Sequence, residues 1–407
     1  MLRKPAQNPG AVVGIGGLSL RGEQLNWLQK PIFVTGATGF IGGRVCERLT
    51  QAGAKDVRAL VHTVQHASRI ARLPINLVPG SLLDLASLRE AMGDAKIVIH
   101  CGLAPARGIL SSTENTLKAA AAVGVERFVH MSTAAVHGLT PAPGSETESA
   151  DLPRTGDHYC DNKGRAEGIV NSFHRRGLPT VILRPSIVYG PYSAWSIRLV
   201  RELRDGKVTL IENGNGACNT GYVDNLVDAV FLAIETEKAV GETFYITDGE
   251  RITWGDFIRA HVPMVENAPS LNEISKQEVR DYYRRQPGLI WGSIQQSGQL
   301  LRSRELRMLL RRIPAMERVQ TALWGWMQAQ PEEKRERIRA RFSPSDGASP
   351  ESNGEFSMPE EVTVATQTGT VFFSIDKAKR ILGYEPRVPF SRGITMVEQW
   401  LRFANHL

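Results

Sequence analysis

Between Pro31 and about Ser186 the chain alternates short apolar runs with stretches of helical spacing. The runs at 31–35, 57–61, 75–79, 96–101, 127–132 and 180–184 are rich in Val, Ile and Leu. Each has the length of a strand, and apolar residues follow one another without strict alternation, as in strands buried on both faces. Helical patterns fill the intervals, among them 111–124 and 157–176. This alternation predicts an α/β fold built on a doubly wound parallel sheet. From about Gly190 the texture changes to helices interleaved with short strands such as Glu242–Thr247, which predicts a smaller second unit over 191–407. Residues 1–30 stand before the pattern as an N-terminal extension.

The first predicted strand runs into Pro31–Gly43, PIFVTGATGFIGG, with glycines at 36, 39 and 42 and a helical pattern directly after. This is the T-G-x-x-G-x-x-G form of the Rossmann dinucleotide-binding turn. Gly36 permits the tight turn, Gly39 lets the backbone approach a pyrophosphate, and Gly42 lets helix and strand lie close. Gly36, Thr38, Gly39, Phe40, Ile41 and Gly42 are therefore the candidate phosphate-binding positions. A second signal is Tyr159-Cys160-Asp161-Asn162-Lys163, preceded by the hydroxyl pair Ser132-Thr133 at the end of an apolar run. Residues four apart share a helix face, so Tyr159 and Lys163 can point into one cleft. A phenol with a reference pKa of about 10 is a poor base at neutral pH, and a cation one turn away favours its ionised form.

These motifs resemble, in order and spacing, the extended short-chain dehydrogenase/reductase family, also called the NAD-dependent epimerase/dehydratase family. They are TGATGFIG (35–42), VIHCGLA (98–104), STENTLKAA (112–120), RFVHMSTAAVHG (127–138), YCDNK (159–163), ILRPSIVYGP (182–191) and YVDNLVDA (222–229). The segment 373–401 is similar to the family's closing helices. The resemblance implies a Rossmann domain over 31–190, with later segments contributing, and a mainly substrate-binding domain over 191–407. It implies Tyr159 as catalytic acid/base, Lys163 as the cation that lowers its pKa and holds the nicotinamide ribose, and Thr133 as hydrogen-bond partner of the reacting oxygen. Pro185 and Val188 would lie beside the nicotinamide, and Leu82 and Leu103 would flank the adenosine half. Two helices, about 111–124 and 157–176, form a dimer face in many relatives, which makes a homodimer the assembly to look for. The chain departs from the family at Ser81, where an adenine-binding Asp is common, at His137, where Tyr is usual, and at Cys218, where an arginine often meets a substrate phosphate.

Hydrophobic content of 42% and charged content of 22% are ordinary for a globular protein. Cys46, Cys101, Cys160 and Cys218 are scattered, without C-x-x-C or metal-like clustering, so no metal is expected and a reducing, cytoplasmic setting fits. Arg3 and Lys4 before Ala11–Leu20 only faintly echo a signal peptide, and no run approaches the roughly 18 apolar residues of a membrane span. The segment about 262–370 fits the family poorly. Its stretch 276–341 holds 15 Lys or Arg against 7 Asp or Glu, an excess that accounts for the chain's whole net charge of +7. Leu306, Leu309, Leu310 and Ile313 share one helical face opposite Arg304, Arg307 and Arg311, with Trp324 and Trp326 beyond. A basic helical insert of this kind reads as a cap packed on the core, with peripheral membrane contact as the alternative. Nucleic acid is not expected, since no binding module accompanies the charge. Residues 343–358 read as a loop.

The chemistry narrows further at Ser132-Thr133-Ala134-Ala135-Val136. Family dehydratases carry Asp-Glu directly after the active-site Thr, and decarboxylases a Glu at the second position. Two alanines cannot move protons, which leaves oxidation–reduction, either net or as a step in epimerisation. Gly190-Pro191, the run 213–216 and the overall layout put a nucleotide-sugar alcohol first as substrate; Cys218 and the basic insert make a lipophilic alcohol, as in 3β-hydroxysteroid-dehydrogenase-like enzymes, the alternative. A non-catalytic cofactor-binding regulator is disfavoured because Thr133, Tyr159 and Lys163 are all present. At the end of the second strand no Asp or Glu occupies 61–66, and Arg58, His62, His66 and Arg69 are near, so of NAD and NADP the lean is to NADP.

Overall fold

The computed structural model describes residues 25–104, 108–285, 358–359 and 361–407. The N-terminal glycine-rich stretch, the basic helix expected at 304–313, Trp324, Trp326 and nearly all of the loop 343–358 lie outside the described residues.

Eleven strands are described: β1 (Ile32–Thr35), β2 (Val57–Val61), β3 (Asn76–Pro79), β4 (Ile97–His100), β5 (Arg127–Met131), β6 (Thr180–Pro185), β7 (Ile187–Tyr189), β8 (Thr209–Ile211), β9 (Thr220–Tyr222), β10 (Thr243–Ile246) and β11 (Asn272–Ile274). Seven form one sheet in the order β10-β6-β5-β4-β1-β2-β3, and every pairing in it is parallel. The strand expected at 242–247 among the later helices is the outermost strand of this sheet, beside β6. Helices α1 (Phe40–Gln51), α2 (Leu85–Met92), α3 (Ile109–Val123), α4 (His158–Arg175), α5 (Ala194–Arg204), α6 (Val223–Glu235), α7 (Trp254–His261) and α8 (Lys276–Arg285) follow the strands in chain order.

The sheet is covered on both faces, which is why its strands read as unbroken apolar runs. Ile32, Val34, Val129 and Leu183 pack with Val45, Leu49, Val227 and Phe231 of α1 and α6. Phe33, Val98, Phe128 and Ile182 face the other way, onto Leu88 of α2, Leu117 of α3 and Val170 of α4. A third cluster, around Tyr189, Leu203, Trp254, Phe257 and Val397, is the core of the smaller layer. That layer is stitched by two short parallel pairs, β7 with β9 and β8 with β11. The residues from 272 to 285, inside the segment that resembles the family poorly, thus join it as β11 and α8.

The Y-V-D-N-L-V-D-A segment locks these parts together. Arg44 of α1 holds the Asp224 carboxylate at 2.5 and 2.9 Å, and Arg48 reaches Asp228 at 2.9 Å. Asp228 also takes Arg387 at 2.7 Å. Asn225 is 1% exposed and saturated: it donates to Asp248 (2.8 Å) and the Val388 carbonyl (2.9 Å), and accepts from the Arg387 and Val388 amides (both 3.0 Å). Asn225→Ala would orphan several buried polar groups at once, so a loss of about 3 kcal/mol in chemical denaturation is expected. A change below about 0.5 kcal/mol would contradict this account of the motif.

Candidate active site

Strand order reverses between β1 and β4, and the crevice outside their carboxyl ends is where open α/β sheets bind ligands. The glycine turn leaves β1 at that crevice, and its three glycines serve different ends. Gly36 has φ +68°, and a Cβ there would lie 2.7 Å from the Cys101 carbonyl and the Gly102 nitrogen. A Cβ on Gly42 would overlap the Gly36 carbonyl oxygen. Both are required by the chain itself. A Cβ on Gly39 would meet only the Gly36 oxygen, at 3.2 Å, and otherwise open space. Gly39 is the N-cap of α1 and brings no side chain to the helix end. The amides of Phe40, Ile41 and Gly42 in the first turn have no preceding carbonyl to bond, and the helix dipole adds positive potential. Thr38 completes the turn, half-buried beside exposed Gly39. The cradle fits the pyrophosphate of a dinucleotide.

Around it, the Thr35 hydroxyl accepts from the Gly102 amide (3.0 Å) and bonds His100 Nδ1 (2.7 Å), tying the ends of β1 and β4. Leu82 packs beside Gly102, and Leu103 stands 55% exposed nearby. Past β2, His62 and His66 are exposed. The other two cations thought to favour a 2′-phosphate are engaged elsewhere. Arg58 is held by Asp56 (2.6 Å) and Asp94 (2.7 Å), and Arg69 by Glu47 (3.0 Å). What remains of the grounds for NADP is the absence of Asp and Glu at 61–66 together with His62 and His66.

Facing the crevice from β5 and α4 are the other predicted residues. Asp157 caps α4 through the amides of Tyr159 (2.9 Å) and Cys160 (3.0 Å), fixing the turn that carries the phenol. Asp161 holds the preceding loop through the Thr155 amide (2.7 Å) and hydroxyl (2.8 Å). Burial leaves the Tyr159 phenol above its ordinary value, with Thr133 pulling the other way and no lowering from Lys163, contrary to the expectation that the lysine lowers it. Thr133 is kept in place by accepting from the Ala135 amide at 3.2 Å. One turn on, Lys163 is 5% exposed and donates to the Met131 carbonyl at 2.6 Å. Burial lowers its pKa to about 8, against the attraction of Glu167. The partner seen lowering the phenol is thus Thr133, while the ammonium is anchored on β5. Pro185 ends β6, buried, and Val188 sits on β7 at 8% exposure, both on the next strands along.

Two departures from the family pattern acquire a physical reading. Cys218 is 0% exposed within the cluster of Tyr189, Tyr222 and Trp254, so its thiol faces core and not a ligand. Ala134 is packed against Tyr245, Val371 and Phe373, leaving no acid or base at that position. Sequence reasoning missed Glu167 and Arg184, which are joined under the site with Ser132 of the hydroxyl pair: Glu167 accepts from Ser132 (2.5 Å) and from Arg184 (2.9 and 2.7 Å). The available signal was spacing, because Tyr159, Lys163 and Glu167 lie at successive i, i+4 steps.

Residues 32–247, more than half of the chain, match the model of the NAD dependent epimerase/dehydratase family. The chain belongs to this family. It is 28% identical over 244 residues to a 2-alkyl-3-oxoalkanoate reductase of Stenotrophomonas maltophilia, covering 56% of this chain and 73% of that protein. It is 25% identical over 399 residues to the 3 beta-hydroxysteroid dehydrogenase/Delta 5-->4-isomerase of Mycobacterium tuberculosis, covering 89% and 88%. Among solved structures, the UDP-glucuronic acid 4-epimerase of Bacillus cereus in complex with NAD superposes with a TM-score of 0.62. That match has 18% identity and covers 92% of this chain and 99% of that one; it shares the fold. The family and these relatives make the protein an NAD-dependent enzyme of the extended short-chain dehydrogenase/reductase type. Among the described residues no helix is long and apolar enough to cross a membrane.

Proposed function

We propose that the protein interconverts a ketone and a secondary alcohol of a lipophilic substrate by hydride transfer. The observation that carries this reading is the gathering of Thr133 after β5 with Tyr159 and buried Lys163 on successive turns of α4, and no proton-moving group at 134 or 135. A bound nicotinamide dinucleotide supplies or accepts the hydride. Tyr159 then gives the substrate oxygen its proton in reduction, or takes it in oxidation, while Thr133 hydrogen-bonds that oxygen. Lys163, buried on the next turn of α4, would bring the positive charge to the site and hold a ribose hydroxyl of the bound dinucleotide. Gly39 and the first amides of α1 hold the pyrophosphate. Elimination and decarboxylation both need a further acid or base that alanines cannot provide.

The preference for a lipophilic substrate reverses the order that sequence alone suggests. Its support is the burial of Cys218, which removes the position where a nucleotide phosphate would be met. The curated relatives named above include a reductase of 2-alkyl-3-oxoalkanoates and a steroid dehydrogenase.

Loss of reduced nicotinamide absorbance tests the proposal, using NADH and NADPH separately with a 2-alkyl-3-oxoalkanoate, a 3-oxosteroid and UDP-glucose. Turnover is expected with a lipophilic ketone. Conversion of UDP-glucose to its 4-epimer without net cofactor change would overturn it in favour of sugar epimerisation. A pH dependence follows from Lys163, whose ammonium is required and whose pKa is about 8. In the free enzyme kcat/KM should therefore decline as pH rises through about 8. A profile flat to about pH 10 would contradict the required charge.

A further inference from the structure

Glu167 is 2% exposed, and its carboxylate is shared by three elements. From β6, Arg184 grips both oxygens, with Nε at 2.9 Å and Nη2 at 2.7 Å. From the end of β5, the Ser132 hydroxyl donates to Oε1 at 2.5 Å. Glu167 itself stands two turns below Tyr159 on α4. Ser132 is next to Thr133, and Arg184 is next to Pro185. The Ser132 amide also bonds the Leu183 carbonyl at 2.8 Å, so the hydroxyl bond completes a clamp between β5 and β6.

A buried ion pair is a costly way to gain stability, because desolvation of two charges consumes most of their attraction. What it does supply is fixed geometry. The guanidinium is planar, the carboxylate offers one matching edge, and its remaining lone pair is directed at one hydroxyl. We propose that Glu167 is a positioning residue: through Ser132 and Arg184 it sets the distance between the Thr133–Tyr159 pair and the strand end that carries Pro185. This rests on the reading of Tyr159 and Thr133 given above. The consequence is specific, since Thr133 lowers the Tyr159 pKa only while its hydroxyl stays in register with the phenol.

The test compares wild type, Ser132→Ala and the paired variant Glu167→Gln/Arg184→Met, which removes both charges and leaves none unbalanced. In each, ionisation of Tyr159 is read without substrate, as the difference in phenolate ultraviolet absorbance between the protein and its Tyr159→Phe counterpart. Ser132→Ala should stay folded, melting somewhat below wild type because Glu167 loses one buried donor. Its Tyr159 ionisation should move up by about one pH unit, and kcat on an accepted ketone should fall by about tenfold with KM within about twofold. The paired variant should do the same. Unchanged Tyr159 ionisation and unchanged kcat in folded Ser132→Ala would overturn the proposal and leave the pair as scaffold. Wild-type activity in Tyr159→Phe would instead refute the reading of the site, while the titration would still report whether Thr133 is held through Ser132.

Discussion

Tyr159→Phe is expected to lower kcat by about a thousandfold, the scale on which a positioned proton donor contributes. Cofactor affinity and melting should stay at wild-type values. The reasoning is local. The substitution deletes one oxygen from a side chain whose backbone amide is capped by Asp157 and whose ring has no other polar duty. Lys163 keeps its bond to the Met131 carbonyl, and Thr133 keeps its bond from the Ala135 amide. The ring can therefore remain in place without its hydroxyl. Stopped-flow or steady-state turnover, together with calorimetric titration of the dinucleotide, separates the two effects. Activity within about threefold of wild type would remove Tyr159 from proton transfer.

Gly39→Val should weaken dinucleotide binding by at least about a hundredfold, ~2.8 kcal/mol, in a protein that still folds. Gly39 has φ −84° and ψ 179°, extended values that a β-branched residue adopts freely. Among the described residues its Cβ would meet only the Gly36 oxygen, at 3.2 Å, and the rest of the side chain would stand where the pyrophosphate is placed against the helix. Gly42 makes the contrast. A Cβ at Gly42 collides with the Gly36 carbonyl, so Gly42→Ala should lose stability before any ligand is added. Calorimetry on folded Gly39→Val that returned wild-type affinity would displace the cofactor from this turn.

Much of the sheet was legible because a parallel strand buried on both faces leaves a continuous apolar run between helical patterns. The run 57–61 coincides with β2, and 31–35 and 127–132 run one residue beyond β1 and β5. The three-residue pairs β7–β9 and β8–β11 carry no such signature, since their register is imposed by the layers around them. The strand at Thr243–Ile246 was visible as a strand, but its membership of the large sheet depends on pairing with β6, which no local pattern encodes. At the site, Tyr159, Lys163 and Thr133 stand out because reactive side chains recur at telling intervals. Glu167 continues that spacing, but its pairing with Arg184 is not encoded locally, because a buried ion pair is defined by two chain positions meeting across a strand and a helix. Arg58 and Arg69 show the same limit: a cation reads as free in sequence until its carboxylate partner is known.

The central claim is that hydride passes between nicotinamide and a substrate carbon with no elimination and no return to the same molecule. Reduced cofactor deuterated at the transferred position, incubated with an accepted ketone, tests it most directly. The account predicts an alcohol carrying one deuterium and an equal amount of oxidised cofactor, read together by mass spectrometry and absorbance. Product free of deuterium, or a substrate epimerised while the cofactor pool stays reduced, would contradict it.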